Sequence, residues 1–293
     1  MTGAQPGATV LAGFGRQCLV RTDAGETLHC KARGRHLHPV CGDRALLSRP
    51  APGEGVIEAL APRASEFARS SQYRVKVLAA NLTQVVILTA CEPSFSDELV
   101  CRILVAAERA ALPAVLVLNK VDLAARRRKA LEELAPFRGL GYPLVELSGK
   151  LDAEPLRREL AGQRSLLVGQ SGMGKSTLVK TLVPDAEVKI AEISRFLDSG
   201  RQATTVARLY TVDERTEIVD SPGLSEFGLA GLNARNIAAG FREFAAHAPH
   251  CRFQDCRHLS EPGCAVRAAA ESGVVHPRRL ALYQRIVRLE KAR

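Results

Sequence analysis

Nine residues, GQSGMGKST at 169–177, constrain this chain more than any other stretch. They fit G-x-x-x-x-G-K-[ST] in full, after the apolar run SLLVG and before the helical pattern TLVKTLV. A strand, a glycine-rich loop and a helix in that order form one unit of a parallel sheet, with a loop suited to phosphate. Gly169 and Gly174 let the backbone turn so that successive amides, through Gln170, Ser171, Gly172 and Met173, face an anion. Lys175 then places its ammonium against the β- and γ-phosphates of a nucleotide, and Ser176 offers its hydroxyl to Mg²⁺. Thr177 continues the helix N-terminus, whose partial positive charge favours the same ligand. The alternative is a glycine-rich turn with no ligand, and the flanking strand and helix argue against it.

A base reader precedes this loop. LNKVDL holds Asn119, Lys120, Val121 and Asp122 at the end of the apolar run AVLVLN. Guanine presents N1–H and an exocyclic amino group, which a carboxylate accepts and adenine cannot mimic. Asp122 fits that contact, with Asn119 and Lys120 bracing the loop and the ring. Alone the four-residue match is weak; beside a complete phosphate loop it is strong. ELSGK supports it, because Ser148, Gly149 and Lys150 resemble a loop that offers a backbone N–H to guanine O6. Downstream, DSPG places Asp220 where it reaches the Mg²⁺ shell through water, and the Gly223 N–H where it meets the γ-phosphate. Between loop and DSPG, SGRQATT contains Thr204 and Thr205, either of which completes the metal's coordination. No second NKxD follows in the 118 residues after Lys175. All five elements therefore belong to one domain in rotated order, a circular permutation, which folds tolerate because domain termini usually lie close together at the surface. GTP or GDP with Mg²⁺ is the expected ligand.

Around this domain the texture changes twice. Residues 1–70 read as short strands (TVLAGFG, QCLVRT, TLHCKA, RALLSR, GVIEAL) between Gly/Pro/Asp turns, the spacing of a small OB-type β-barrel. Residues 71–235 alternate apolar strands with helical patterns at 97–111, 124–135 and 153–162, a parallel sheet covered on both faces, closing on an antiparallel pair around the turn DERT. Residues 236–293 place Ile237, Phe241 and Phe244 at helical spacing, then a cysteine-rich stretch, then a helix from near Pro277 with the stripe Leu280, Tyr283, Ile286 and Val287.

Net charge is +10, and its placement matters more than its size. Residues 1–70 carry nine Lys/Arg against six Asp/Glu, and residues 236–293 ten against five, while the long middle is nearly balanced. A general solubility surface is one reading; a polyanion gripped from both ends is the sharper one. In the barrel, Arg16, Arg21, Lys31, Arg33, Arg35 and Arg44 are the candidate contacts. Phe14 is the only aromatic in those strand runs, so backbone contact is favoured over base stacking. Apolar runs of about six residues fall far short of a bilayer span, and no secretory signal opens the chain, so a cytoplasmic protein without a membrane partner is expected.

A reducing compartment turns clustered cysteines into a metal proposal. Cys251, Cys256, His258 and Cys264 spell C-x4-C-x-H-x5-C, a closed Cys₃His set suited to one structural Zn²⁺. Four unrelated residues or a redox pair are the alternatives. The scattered Cys18, Cys30, Cys41, Cys91 and Cys101 read as small buried apolar residues.

Over nearly its whole length the chain resembles the bacterial small-ribosomal-subunit-dependent GTPases, the RsgA (YjeQ/EngC) family. The likeness is carried by the barrel-like N-terminus, the order NKVD–SGK–GQSGMGKS–DSPG, the stretch DSPGLSEFGL, and CRFQDCRHLSEPGC. It implies an α/β fold in which a circularly permuted P-loop GTPase domain is flanked by an OB-type barrel and a helical zinc-binding domain. It implies a GTPase acting in late assembly of the small ribosomal subunit and on its rRNA, stimulated by that subunit, with a monomer expected. Two departures stand out: the family's G-x-H-T-T-T reads GRQATT here, with Gln202 for His and Ala203 for the first Thr, and Met173 replaces a smaller apolar residue. Leu224 follows DSPG where many GTPases place a water-orienting Gln, so slow intrinsic turnover and a partner-supplied activator are expected. A nucleotide-gated RNA-binding checkpoint without functional hydrolysis, and a GTPase acting on another nucleic acid, are the rival readings.

Overall fold

The computed structural model describes residues 7–71, 74–186, 206–224, 226–229 and 231–291. All five expected N-terminal strands form: β1 (Ala8–Phe14), β2 (Gln17–Thr22), β3 (Thr27–Ala32), β4 (Arg44–Ser48) and β5 (Glu54–Leu60). They are hydrogen-bonded in the order β1-β2-β3-β5-β4, and a further β4–β1 pairing closes the ring. This is a five-stranded barrel of OB type. Alternation drives it: Ala8, Val10, Cys18, Val20, Leu28, Cys30, Ala45 and Ile57 point inward and fill one small core. Gly55 sits on that core because a Cβ there would come within 2.6 Å of the Cys30 sulfur.

A hairpin absent from the strand reading follows, β6 (Glu66–Ser71) and β7 (Arg74–Ala80). Beyond it come β8 (Gln84–Ala90), α1 (Asp97–Arg109), β9 (Ala114–Asn119), α2 (Ala124–Leu134), β10 (Leu144–Glu146), α3 (Glu154–Leu160), β11 (Arg164–Gly169) and α4 (Lys175–Leu182). Strands β12 (Arg208–Thr211) and β13 (Glu217–Asp220) complete the sheet, in the order β10-β9-β8-β11-β13-β12. All neighbours are parallel except β12–β13. β8 and β9 are buried at every position because both faces are covered. Val85 and Ile87 pack on the α1 side, whereas Val86, Leu88 and Ala90 pack on the side of α3 and α4.

The barrel is joined to this sheet edge. Ala12 of β1 pairs with Arg208 of β12, and Arg21 donates to both Thr211 and Glu217, the latter at 2.6 Å. At the other end, α5 (Ala234–Ala238), α6 (Ala265–Glu271) and α7 (Pro277–Lys291) form the C-terminal module. The helical spacing over Ile237, Phe241 and Phe244 is realised as one short helix and a 3₁₀ turn at Arg242–Phe244 rather than one helix. Gly240 marks the break, where a Cβ would lie 2.8 Å from Val105 Cα. The module docks on α1 through Arg278–Asp97, Arg285–Glu98 and Arg102–Glu290 ion pairs. No helix among the described residues is long and apolar enough to cross a membrane.

Candidate nucleotide site and metal centre

Strands β9 and β11 run parallel and finish at the same carboxyl end of the sheet, which brings NKVD and the phosphate loop together although 54 residues separate Asn119 from Met173. Asn119 is 2% exposed and ties the elements to one another. Its amide donates to the Met173 carbonyl at 2.9 Å, and its oxygen accepts from the Lys120 and Gly149 amides at 2.8 Å each. One side chain thus fixes the NKVD loop, the glycine-rich loop and the SGK loop in mutual register. Lys120 adopts a left-handed φ of 61° and its ammonium donates to the carbonyls of Glu92, at 2.7 Å, and Gly172, at 2.8 Å. The Asp122 side chain stands exposed beside Val121 and makes no hydrogen bond among the described residues, so both carboxylate oxygens are free to accept. Ser148 and Gly149 are buried in the adjoining loop and Lys150 is exposed.

The loop itself has the conformation its glycines allow. Gly172 and Gly174 take φ of 82° and 87°. A Cβ at Gly174 would meet Asn119 Nδ2 at 2.4 Å, and one at Gly169 would meet the Leu88 carbonyl oxygen at 2.6 Å. Helix α4 begins at Gly174 with no side-chain cap, so its first amides are left for a ligand. Ser171, Ser176 and Thr177 are exposed at that mouth, while Met173 is 1% exposed and packs on the core side. The Gln170 side-chain oxygen accepts from the Ser96 amide at 2.6 Å, at the cap of α1.

DSPG is pinned beside this loop. Ser221 Oγ donates to the Leu167 carbonyl at 2.7 Å, the Leu224 amide donates to the Gly169 carbonyl at 3.0 Å, and a Cβ on Gly223 would touch Ser171 at 3.4 Å. Lys175 and Asp220 face each other. Burial lowers the Lys175 pKa against the opposing pull of Asp220, and burial raises the Asp220 carboxyl to about 6 against Lys175 and Arg208. Asp220 Oδ1 is buried with no hydrogen-bond partner. A carboxylate oxygen left so is suited to a water of a cation's shell, and with the open glycine cradle it fits a magnesium nucleotide. Gln202, Thr204 and Thr205 lie outside the described residues. Leu224 is 1% exposed and belongs to the core, which removes it from any contact with an attacking water.

Arg208 was not singled out by sequence. It lies opposite Asp220 across the β12–β13 pair, is 5% exposed, and two of its guanidinium nitrogens have no partner. Residues directly opposite in an antiparallel pair share a face, so this cation stands on the Asp220 side of the sheet. The only signal available was a basic residue two positions before Tyr210, on the same face of a short strand.

Among the barrel cations, three of the six expected to face a polyanion are ion-paired to carboxylates of the chain: Arg21 with Glu217, Arg44 with Asp23, and the exposed Arg33 with Glu58. Short strands with acidic neighbours two or three strands away gave no sign of this. Arg16, Lys31 and Arg35 have no carboxylate partner among the described residues.

In the C-terminal module, Cys251, Cys256, His258 and Cys264 place one ligand atom each within 4.8 Å of one another. Cys251 Sγ lies 3.6 Å from His258 Nδ1 and 3.9 Å from Cys264 Sγ, and His258 Nδ1 lies 3.3 Å from Cys264 Sγ. The edges of a zinc tetrahedron with thiolate and imidazole ligands are about 3.5–3.8 Å, so the set fits that ion. Burial pushes the Cys256 thiol up to about 12 and also lowers the His258 pKa. The imidazole is therefore in its neutral, ligating form, and the Cys256 and Cys264 thiols, both raised by burial, need a cation to ionise at neutral pH. Phe244 and Tyr283 pack on the His258 ring at 5.8 and 6.0 Å, which fixes its orientation.

Comparison with known proteins agrees with this geometry. The chain is 46% identical over 278 residues to the small ribosomal subunit biogenesis GTPase RsgA of Nitrosospira multiformis, covering 95% of this chain and 89% of that one. It is 45% identical over 291 residues to the protein of the same name from Bordetella pertussis, covering 98% and 97%. The fold is similar to YjeQ from Thermotoga maritima, with a TM-score of 0.77, 28% identity and 99% of both chains covered. YloQ, described as a circularly permuted GTPase, matches in fold with a TM-score of 0.72 at 22% identity over 100% and 98% of the chains. A sequence profile of the RsgA GTPase matches residues 60–230. With the rotated order of loops, the barrel and the Cys₃His cluster all present in one chain, the protein belongs to the RsgA GTPase family.

Proposed function

We propose that this chain is a GTP hydrolase that binds the small ribosomal subunit and assists its late assembly, with hydrolysis stimulated by the subunit and coupled to release. The observation that carries the nucleotide half is Asn119, which holds base reader, phosphate loop and SGK loop as one pocket. The names of the relatives supply the subunit half. In this reading Asp122 accepts from guanine, the 169–177 loop holds the phosphates, Lys175 offsets charge developing on the γ-phosphate, and Ser176 and Asp220 hold the Mg²⁺ shell. Magnesium, when bound, neutralises phosphate charge during in-line attack by water. The barrel of residues 1–70 and the module of 236–293 contact rRNA, one structural Zn²⁺ holds the latter, and the protein works as a cytoplasmic monomer.

The buried Leu224 supports slow turnover in the free protein. A side chain that cannot orient water leaves the activating group to Gln202 or to the subunit. Single-turnover GTP hydrolysis, measured with and without purified small subunits, tests this. A stimulation of at least about 10³-fold agrees with a supplied activator. Equal rates with and without subunits would leave the rival reading, a nucleotide-gated checkpoint.

A further inference from the structure

Phe253 is the only exposed aromatic side chain among the described residues, at 40% exposure. The other rings of the module turn inward: Phe241, Phe244 and Tyr283 pack on one another with centroids 5.0, 5.1 and 5.4 Å apart. Phe253 instead sits at the tip of the loop between two of the zinc-suited cysteines, where its carbonyl accepts from the Cys256 amide at 3.2 Å. The Arg252 guanidinium lies over its ring, 5.5 Å from the centroid. Arg252 is exposed and makes no salt bridge among the described residues. Its stem is seated on Gly263: a Cβ there would meet Arg252 Cβ at 3.0 Å and Cδ at 3.4 Å, and the Arg252 amide donates to the Gly263 carbonyl at 3.0 Å. The loop thus holds a ring and a free cation side by side on a backbone that the metal ligands brace from both ends.

An isolated exposed ring is ordinary on a protein surface. A ring paired with an unpartnered guanidinium, in a segment with twice as many basic as acidic residues, is matched to one chemistry. We propose that Phe253 and Arg252 form a stacking platform for unpaired RNA, with a base on the open face of the ring and its phosphate against the guanidinium. Bases inside a duplex are already stacked, so the platform selects single-stranded segments, and a ring face tolerates any base. Within the tip Arg252 is balanced by Asp255 and Arg257 by its partner Glu261, so the phosphate contact depends on the Arg252 guanidinium itself and not on a local excess of charge. The barrel, with only the half-buried Phe14, offers no such platform. The inference rests on the reading that this protein acts on an RNA-containing particle.

The chain contains no tryptophan, which makes the test direct. In zinc-loaded, full-length Phe253→Trp the single indole should be quenched by an unlabelled single-stranded RNA 12-mer and not by the same sequence in a duplex. By fluorescence anisotropy, Phe253→Leu, which keeps apolar bulk without a ring, should weaken single-strand binding about tenfold and leave the salt slope unchanged. Arg252→Ala should weaken binding and reduce that slope by about 0.7, the loss of one phosphate contact. Bound zinc should stay at the unsubstituted level in each variant. Unquenched indole together with unchanged affinity in Phe253→Leu would overturn the platform while RNA binding by the parent protein stands. Loss of small-subunit binding in Phe253→Leu without loss of RNA binding would make the tip a protein contact and also overturn it. Failure of the unsubstituted protein to bind any RNA would remove the parent reading and this one together.

Discussion

Replacing Asn119 by alanine tests the idea that one side chain assembles the nucleotide pocket. The substitution leaves the Met173 carbonyl and the Gly149 amide, both at buried contacts, without partners, and frees the Lys120 amide at a partly buried one. A buried polar group left unsatisfied costs about 1–3 kcal/mol, so two such groups set an outer range of about 2–6 kcal/mol. Water entering from the ligand side recovers part of this, and about 2–3 kcal/mol is the figure we expect to act on the register of the three loops. Affinity falls with the population of the competent arrangement, which gives about a 30- to 150-fold rise in Kd. GTP and GDP should lose equally, because the bonds lie between the base and the β-phosphate and none reaches the γ-phosphate loop. Isothermal titration with each nucleotide measures this, with thermal melting as a control for folding. A loss under about threefold, or a loss confined to GTP, would refute the bracing argument.

Asp122→Asn should exchange a guanine acceptor for an amide, lowering GTP affinity by at least about tenfold and raising that for xanthosine triphosphate, as measured by competition binding. Chelation, or Cys256→Ser, should unfold the C-terminal module while nucleotide affinity stays nearly unchanged; elemental analysis should give about one zinc per untreated chain, and a zinc-free chain with an intact module would refute the site. The Asp220 carboxyl, raised by burial to about 6 from 3.8, binds a proton more readily in the folded than in the unfolded state. The nucleotide- and metal-free protein should therefore lose stability as pH rises from about 4 to about 6. Asp220→Asn should be more stable than the parent above that window by up to about 3 kcal/mol, equal to it below pH 4, and impaired in Mg²⁺-dependent GTP binding; denaturant titration of both proteins across that range reads the difference.

Much of this was legible in the residues. The five barrel strands follow from alternation between turn residues, and the phosphate loop, NKVD and the metal set follow from ligand chemistry at fixed spacing. The less legible parts are those decided by neighbours far along the chain. β6 carries Arg69 and Ser70 among its apolar residues and β7 carries Lys76, so neither reads as a buried strand; they pair because each is the other's neighbour. Arg279, which no sequence pattern singles out in the closing helix, is 1% exposed, paired with Glu243 at 2.6 Å and stacked over Phe241 at 4.3 Å. A buried arginine depends on a carboxylate and rings that only the fold brings together. The same holds for Arg21, whose partner Glu217 is 196 residues away, and for Arg208, whose place beside Asp220 depends on strand register.

The rotated order also bears on how the chain reaches its fold. β11 lies in the middle of the sheet, between β8 and β13, yet it is synthesised after β8, β9 and β10. Its contact with β8 spans 81 residues, as in the Gln84–Ser165 hydrogen bond. Until β11 arrives, β8 is an open edge made of QVVILTA, whose residues are all buried in the finished sheet. Such an edge is a template for pairing with another chain, and non-local parallel pairing is slow because loop closure precedes the contacts that reward it. The nucleotide gives no help at that stage, since the phosphate loop follows β11 directly. The hazard of association during synthesis thus falls on one strand, and it ends when the phosphate-loop strand inserts.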